Sequence, residues 1–260
     1  MMIVVDEAEL ARRGDENLAS AWTTLVRSMG GDVSGDGPLV LVASGLPIAF
    51  FNGGFVAGSI SDPERTIADA VAFFGARSLP FLLWVRDGLA PDLVAAASAT
   101  GLRPQAGPPL MALSPVPPMR PLLDGLSVEV VADEASLADH ARLLTEAFEM
   151  PREVGDRFIR PALLETADFA VVIGRVDGEP VSTAAVAVSG STAGVYNVAT
   201  PKEFRGKGFG ETLTDAAIRE GVRRGCDHAI LQASPAGYPV YLRMGFVEIA
   251  RYTQLEGPPT

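Results

Sequence analysis

The sequence predicts a mixed α/β fold, an α+β mixed sheet, made of two halves with the same order of elements. Three observations lead there. The composition is rich in core residues, apolar runs of strand length alternate with helix-period stretches, and a proline-rich segment, SPVPPMRP (Ser114–Pro121), divides the chain. With 260 residues, 48% hydrophobic and 20% charged, the chain has the balance of a soluble globular protein. It is long enough for one large domain or two of about 100–150 residues. Closely spaced prolines favour an extended linker over a helix or a central strand, so the boundary is set there, giving residues 1–118 and 119–260.

In the first half the longest apolar tract, PLVLVASGLPIAFF (Pro38–Phe51), is too short for a membrane span and is interrupted by Gly45 and Pro47. It reads as two buried strands. FLLWV is a further apolar strand, between DAVAFFGAR and TGLRP.

The second half opens with a strand, SVEVVA (Ser127–Ala132). ASLADHARLLTEAF (Ala135–Phe148) follows as a helix, with Leu137, Ala141, Leu144 and Phe148 at helical spacing. From Asp168 to Thr200 come antiparallel strands that turn at Asp177-Gly178 and around Ser189-Gly190. GETLTDAAIREGVRR is a helix with Leu213, Ala217 and Gly221 on one face and Gly225 at its C-terminal cap, and HAILQA (His228–Ala233) is a buried strand.

The spacings of the two halves run in parallel. Asn52 to Asp69 is 17 positions and Asn197 to Asp215 is 18; Asp69 to Gly101 is 32 and Asp215 to Gly245 is 30. These intervals read as a tandem duplication, with chance spacing of two α/β segments as the alternative.

Charge and cysteine usage narrow the function classes. A formal net charge of -11 and a pI near 4.7 argue against a nucleic-acid partner, because phosphate backbones need clustered Lys and Arg. One cysteine, Cys226, leaves no disulfide framework and no metal-binding cluster, so no metal is expected and a reducing cytoplasm fits. The opening MMIVVDEAEL lacks the basic-then-apolar pattern of a signal peptide.

The chemistry is carried by Arg205-Gly206-Lys207-Gly208-Phe209-Gly210, between an apolar strand and an amphipathic helix. Glycines at a helix N-terminus leave backbone N–H groups free to converge on an anion, and Arg205 and Lys207 add charge in an acidic protein. Other glycine loops fit less well. A Walker A loop has Ser or Thr after its lysine, where this chain has Gly208; a Rossmann fingerprint has glycine where Glu211 stands and an acidic residue after the next strand, where this chain has QAS.

Arg205-x-x-Gly208-x-Gly210 resembles the Arg/Gln-x-x-Gly-x-Gly/Ala signature of the GNAT (GCN5-related N-acetyltransferase) superfamily. VYNVATPKEF before it is similar to that family's fourth strand and its connection. Tyr241-Leu-Arg-Met-Gly245-Phe246 is similar to the family's ending, in which a tyrosine precedes a Gly-Phe pair. The resemblance spans about Ser127 to Leu255 and implies a GNAT fold there, packed against a degenerate GNAT-like first half.

The resemblance further implies acetyl-CoA as cosubstrate and direct attack by a neutral amine, in the cleft between splayed fourth and fifth strands. Backbone amides from Gly206 through Lys207, Gly208, Phe209 and Gly210 to Glu211 would hold the pyrophosphate. The strand edge Tyr196–Ala199, with Val198, Ala199 and Thr200, would pair with the pantetheine arm. Tyr241 falls where many members place a general acid towards the departing thiolate, a role that a phenol of pKa near 10 can fill; the alternative is an aromatic packed beside Phe246. Ser234 stands where many members carry asparagine and either bonds the cofactor arm or forms a turn before Pro235. The general base is open among Glu149, Glu153 and Asp156, while His140 and His228 read as structural.

The first half lacks the loop signature after Asn52 and has Ala97 where the second has Tyr241, so it is expected to cover the sheet and wall the substrate cleft without binding CoA. Phe50, Phe51, Phe73, Phe74 and Trp84 are core residues first and substrate lining second. The expected activity is acetylation of a small-molecule or peptide amine by a cytoplasmic monomer or homodimer without membrane contact. A CoA-binding sensor and an unrelated phosphate-binding protein are the alternatives. The acidic charge slightly favours a cationic amine.

Overall fold

The computed structural model describes residues 6–35, 37–118 and 120–257. Met119, where the expected second domain opens, and residues 1–5 of the amino-terminal reading lie outside them. The first half starts with a helix that the reading above does not contain, α1 (Glu7–Ser28). Its Leu10, Gly14, Leu18, Trp22 and Leu25 recur every three or four residues and are buried, and Glu7 and Glu9 sit in the first turn, where the helix dipole favours acids. Strands β1 (Asp32–Ser34), β2 (Leu39–Ala43) and β3 (Asn52–Val56) follow, then α2 (Pro63–Gly75), β4 (Leu82–Arg86), α3 (Pro91–Ala99) and β5 (Arg103–Leu113). The second half runs β6 (Leu126–Val130), α4 (Glu134–Ala147), α5 (Arg152–Phe158), β7 (Phe169–Val176), β8 (Glu179–Ser189), β9 (Thr192–Ala199), α6 (Phe209–Arg223), β10 (His228–Gln232), α7 (Tyr238–Met244) and β11 (Val247–Glu256).

Both expected turns join strands, Asp177-Gly178 between β7 and β8 and Ser189-Gly190 before β9. Gly225, at φ 95, ends α6 as expected. The tract Pro38–Phe51 departs from expectation. It holds one strand, β2, and then a 3-10 turn at Ala49–Phe51, because Gly45 and Pro47 break the second run before it can pair.

All strands join one 11-stranded mixed sheet in the order β1-β2-β3-β4-β11-β5-β10-β9-β8-β7-β6. Each half gives its last strand to the other. β11 pairs antiparallel with β4, β5 pairs antiparallel with β10, and β5 and β11 pair with each other in the middle. The two halves therefore share a sheet across the proline-rich segment. That segment also lies on α6, where the Arg219 guanidinium donates to the Pro117 carbonyl and Arg120 pairs with Glu211.

From β2 and β8 onward the halves match element by element. β2–β3 and β8–β9 are antiparallel hairpins, β3–β4 and β9–β10 are parallel pairs across α2 and α6, and α3 and α7 precede the exchanged strands. Strand pairing, however, sets Gly53 opposite Leu82 and Thr192 opposite His228. Asn52 thus stands where Ser191 does, and the equivalence of Asn52 with Asn197 does not hold in the sheet. Asn52 is buried and ties its own loop, accepting from Ser44 N–H and donating to the carbonyls of Leu46, Ile48 and Pro80.

Two layers of helices cover the sheet. α1, α4 and α5 share a core over one face with Leu110, Ala112, Ile230 and Tyr252, whereas α2 with α3 and α6 with α7 pack on the opposite face. α1 is also bolted down by buried polar groups. Asp15 accepts from Arg86 Nε at 2.8 Å and from the Tyr252 hydroxyl at 2.9 Å. Asn17 donates to the Ala187 carbonyl at 3.0 Å and accepts from the Tyr196 hydroxyl at 2.7 Å. The first half's helix thereby fixes both β11 of the centre and β9 of the second half.

Candidate active site

β9 is paired with β8 along its length but with β10 only from Thr192 to Gly194, opposite His228 to Ile230. The reason lies at Asn197, whose φ of 52 puts a non-glycine residue in the left-handed region. Partners step from Thr183↔Ala199 to Ala185↔Tyr196, so β9 carries one extra residue against β8. Such a bulge bends and twists the strand, and β9 leaves β10 beyond it. The edges of 195–199 and 231–232 then face each other across a gap. In the first half β2 and β3 keep an unbroken register from Leu39↔Val56 to Ala43↔Asn52, and β3 stays on β4 through Phe55. No gap opens there.

At one end of the gap lies the glycine loop. Gly206 at φ 77 and Gly208 at φ 84 take conformations that side chains resist, and Gly208 is the N-cap of α6 without a capping side chain. The first backbone donor returned to the helix is Thr212 N–H, to the Gly208 carbonyl at 3.0 Å. Among the described residues, the N–H groups of Gly206, Lys207, Gly208, Phe209, Gly210 and Glu211 have no acceptor within the chain. A turn of unpaired donors at the positive end of a helix is an anion site. Lys207 extends over the Phe204 ring at 5.6 Å. The Arg205 side chain departs from its expected part: its guanidinium donates to the carbonyls of Thr200 and Ala147, each at 2.9 Å, and so braces the loop against the end of α4. Glu211 is held by Arg120. Thr200 hydrogen-bonds Ser182 at 2.8 Å and lies under Gly210, where an added Cβ would come within 3.3 Å of its hydroxyl.

At the other end stands Tyr241 on α7. Its ring meets Phe246 edge-on at 5.8 Å, and burial pushes its phenol pKa up to about 12, against the opposing pull of a hydrogen bond with Thr214. The structure thus shows the packing against Phe246, and the same ring lines the cavity. Ser234 forms the turn before α7, accepting from Gly237 N–H at 3.1 Å, and also faces the cavity.

A cavity of about 510 Å³ runs through the gap from Tyr241 to the face covered by α1, α4 and α5. Both halves line it. Leu18, Trp22, Phe50, Phe51, Trp84 and Pro108 come from the first; Phe148, Met150, Phe158, Tyr196, Asn197, Val198, Gln232, Ser234 and Tyr241 are among those from the second. Expected residues Val198, Ser234 and Tyr241 thus meet at one cavity, with Ala199 buried at the end of β9. Phe50, Phe51 and Trp84 are lining residues, and Phe50 is 48% exposed instead of core.

Glu149, Glu153 and Asp156 do not line the cavity; the neighbouring Met150 and Phe158 do, because α5 turns its apolar side inward and leaves Asp156 paired with Arg152 at 3.7 Å outside. The histidines have partners. His140 Nδ1 bonds the Thr183 hydroxyl at 2.7 Å and burial lowers its pKa to about 3, while His228 bridges Thr192 and Asp227. Sequence reasoning missed Asn197 and Gln232, whose side-chain nitrogens Nδ2 and Nε2 are buried without a partner among the described residues. A left-handed strand residue leaves no mark in a sequence pattern. The 18-22-25 spacing of Leu18, Trp22 and Leu25 is the helical-period signal that could have located α1.

A splayed parallel pair with an amide turn at one end and a phenol at the other defines a domain of a known kind. Residues 137–246 match the model of the acetyltransferase (GNAT) family. Residues 137–246 are thus a GNAT acetyltransferase domain, and acyl transfer in general is the chemistry that the match supports. Among solved structures, a GCN5-related N-acetyltransferase from Kribbella flavida aligns over 94% of this chain and 95% of its own, with TM-score 0.73 and 23% identity. A tandem GNAT protein from the clavulanic acid biosynthesis pathway aligns over 85% and 78%, with TM-score 0.61 and 16% identity. A GCN5-related N-acetyltransferase from Sphaerobacter thermophilus aligns over 85% and 80%, with TM-score 0.56 and 15% identity. These likenesses are of fold, and the first covers both halves. No curated protein matches the chain. Among the described residues, no helix is long and apolar enough to cross a membrane.

Proposed function

We propose that the protein is an acetyl-CoA-dependent N-acyltransferase with one active site, in the gap between β9 and β10. The observation that carries this is the gap itself: a strand edge left unpaired after Gly194, with the free amides of 206–211 at one end and Tyr241 at the other. The amides of Gly206 to Glu211 hold the pyrophosphate, and the free edge of 196–199 pairs with the pantetheine arm as an added strand would. The amine nitrogen attacks the thioester carbon as its free base. A C–N bond forms, the C–S bond breaks, the Tyr241 phenol gives its proton to the departing thiolate, and the proton shed by the nitrogen passes to solvent and restores the phenol.

The first half holds no second site in this reading. Its β3 has no bulge, and α3 presents Ala97, fully buried, where α7 presents Tyr241. The boundary at 118/119 marks two units of a sequence duplication whose last strands are exchanged, and neither unit has a complete sheet alone. The test is calorimetry with acetyl-CoA, expected to give one site per chain, followed by thiol release over a panel of amines. Binding without transfer to any amine would instead support a CoA sensor, and no binding would refute the reading.

A further inference from the structure

Resting on that reading, the geometry points to an acceptor amine carried on a bulky apolar body, aromatic or branched, which we propose enters the cavity from the side opposite the glycine loop. No Asp, Glu, Lys, Arg or His is among the described residues that line the cavity. Its walls on that side are Trp22, Phe51 and Phe158, which pack on one another in edge and tilted contacts at 4.8 to 6.4 Å, and Trp84, which meets Phe50 edge-on at 6.4 Å; Phe50 and Phe148 stand at the rim. Phe50 is 48% exposed and Phe148 53% exposed, an unusual use of large rings that an apolar ligand would cover. The volume of about 510 Å³ lies in the range of small-molecule pockets.

Polar groups are confined to the gap. Asn197 Nδ2 and Gln232 Nε2, buried and without partners among the described residues, stand on its two edges as donors for a ligand oxygen. The uncharged walls also decide the ionisation of the acceptor. An ammonium placed among them loses its hydration and gains no counter-charge, so the chamber favours the free base, the form that attacks. A polyamine or a lysine-rich peptide would have to bury further charges there, which reverses the slight preference for cationic amines read from net charge alone.

The experiment measures thiol release from acetyl-CoA with n-butyl- to n-octylamine, phenethylamine and spermidine, beside acetyl-CoA calorimetry. The inference expects kcat/KM to rise about fourfold per buried methylene along the alkyl series and to be higher for phenethylamine than for spermidine by at least about tenfold. Phe50→Asp and Phe148→Asp, both at exposed rim positions, should raise KM for phenethylamine about tenfold and leave the acetyl-CoA affinity unchanged. A flat alkyl series, a preference for spermidine, or a preference for octanoyl-CoA over acetyl-CoA with a flat amine series would overturn the inference while acetyl-CoA still binds. Failure to bind acetyl-CoA would overturn the underlying reading as well, and calorimetry tells the two apart.

Discussion

Replacing Tyr241 by Phe separates packing from chemistry at the position where the structure offers both. The side chain is 9% exposed and its ring contacts Phe246, a contact that Phe keeps, so no cavity is made. What is lost is one hydroxyl and its bond with Thr214, worth about 1 kcal/mol of stability at neutral pH. If the phenol protonates the leaving thiolate, kcat falls by about 10²–10⁴. Acetyl-CoA affinity should stay within about threefold, because the turn proposed to hold the pyrophosphate is at the other end of the gap. The phenol's raised pKa adds a second readout. A folded-state value of about 12 against an unfolded value of 10 means that the contribution to stability is complete below pH 10 and is lost as pH rises from 10 to 12. At about 1.4 kcal/mol per unit the shift corresponds to about 2–3 kcal/mol, so the wild type should lose that much relative to Tyr241→Phe between pH 10 and 12. Thiol-release kinetics at pH 7 to 9 and urea unfolding across the alkaline range measure the two effects. A kcat within about twofold of wild type with a good amine removes Tyr241 from the proton transfer, whatever the stability data show.

Gly208→Ala places a side chain at φ 84 with its Cβ 3.3 Å from a Leu123 methyl, so it should cost about 1–2 kcal/mol in urea unfolding and weaken acetyl-CoA binding about tenfold by calorimetry; unchanged affinity would mean that the turn does not hold the phosphates. His140, whose pKa falls from 6.5 to about 3 in the fold, contributes stability present above pH 6.5 and lost as pH drops through that window, at about 1.4 kcal/mol per unit. His140→Leu should therefore flatten the stability profile between pH 6.5 and 4.5 by about 2–3 kcal/mol relative to wild type, and equal slopes would contradict the assignment.

Much of the second half was legible because its signals are local. Asp177-Gly178 and Gly225 need left-handed backbone, and the 213-217-221 face and the run HAILQ follow helix and strand periods that neighbouring residues fix. The glycine loop was readable for the same reason, since Gly206 and Gly208 are demanded by backbone angles. What escaped was set by distant partners. Arg205 looks like a phosphate ligand in sequence, yet it is claimed by the carbonyl of Ala147 in another helix. Asn197 forms its bulge against β8, and nothing within its own strand announces it. The exchange of β5 and β11 is a pairing choice between strands of similar apolar character, which periodicity cannot rank.

That exchange gives a half without a loop signature, a bulge or a tyrosine a structural part in the gap. β10 needs a partner on the side away from β9, and β5 of the first half is that partner from Ala229↔Leu113 to Gln232↔Leu110. If β5 left, β10 would be an edge strand and the gap would lose one of its two fixed walls. β9 is held from the other direction, because the Tyr196 hydroxyl bonds Asn17 on α1, and an added Cβ at Gly194 would come within 1.8 Å of the Asn17 carbonyl oxygen. Only glycine lets α1 approach β9 this closely, at the last residue of β9 that still pairs with β10. The first half therefore props both walls of the gap and, through Trp22, Phe50 and Trp84, lines the chamber behind it, where the proposed acceptor amine would lie.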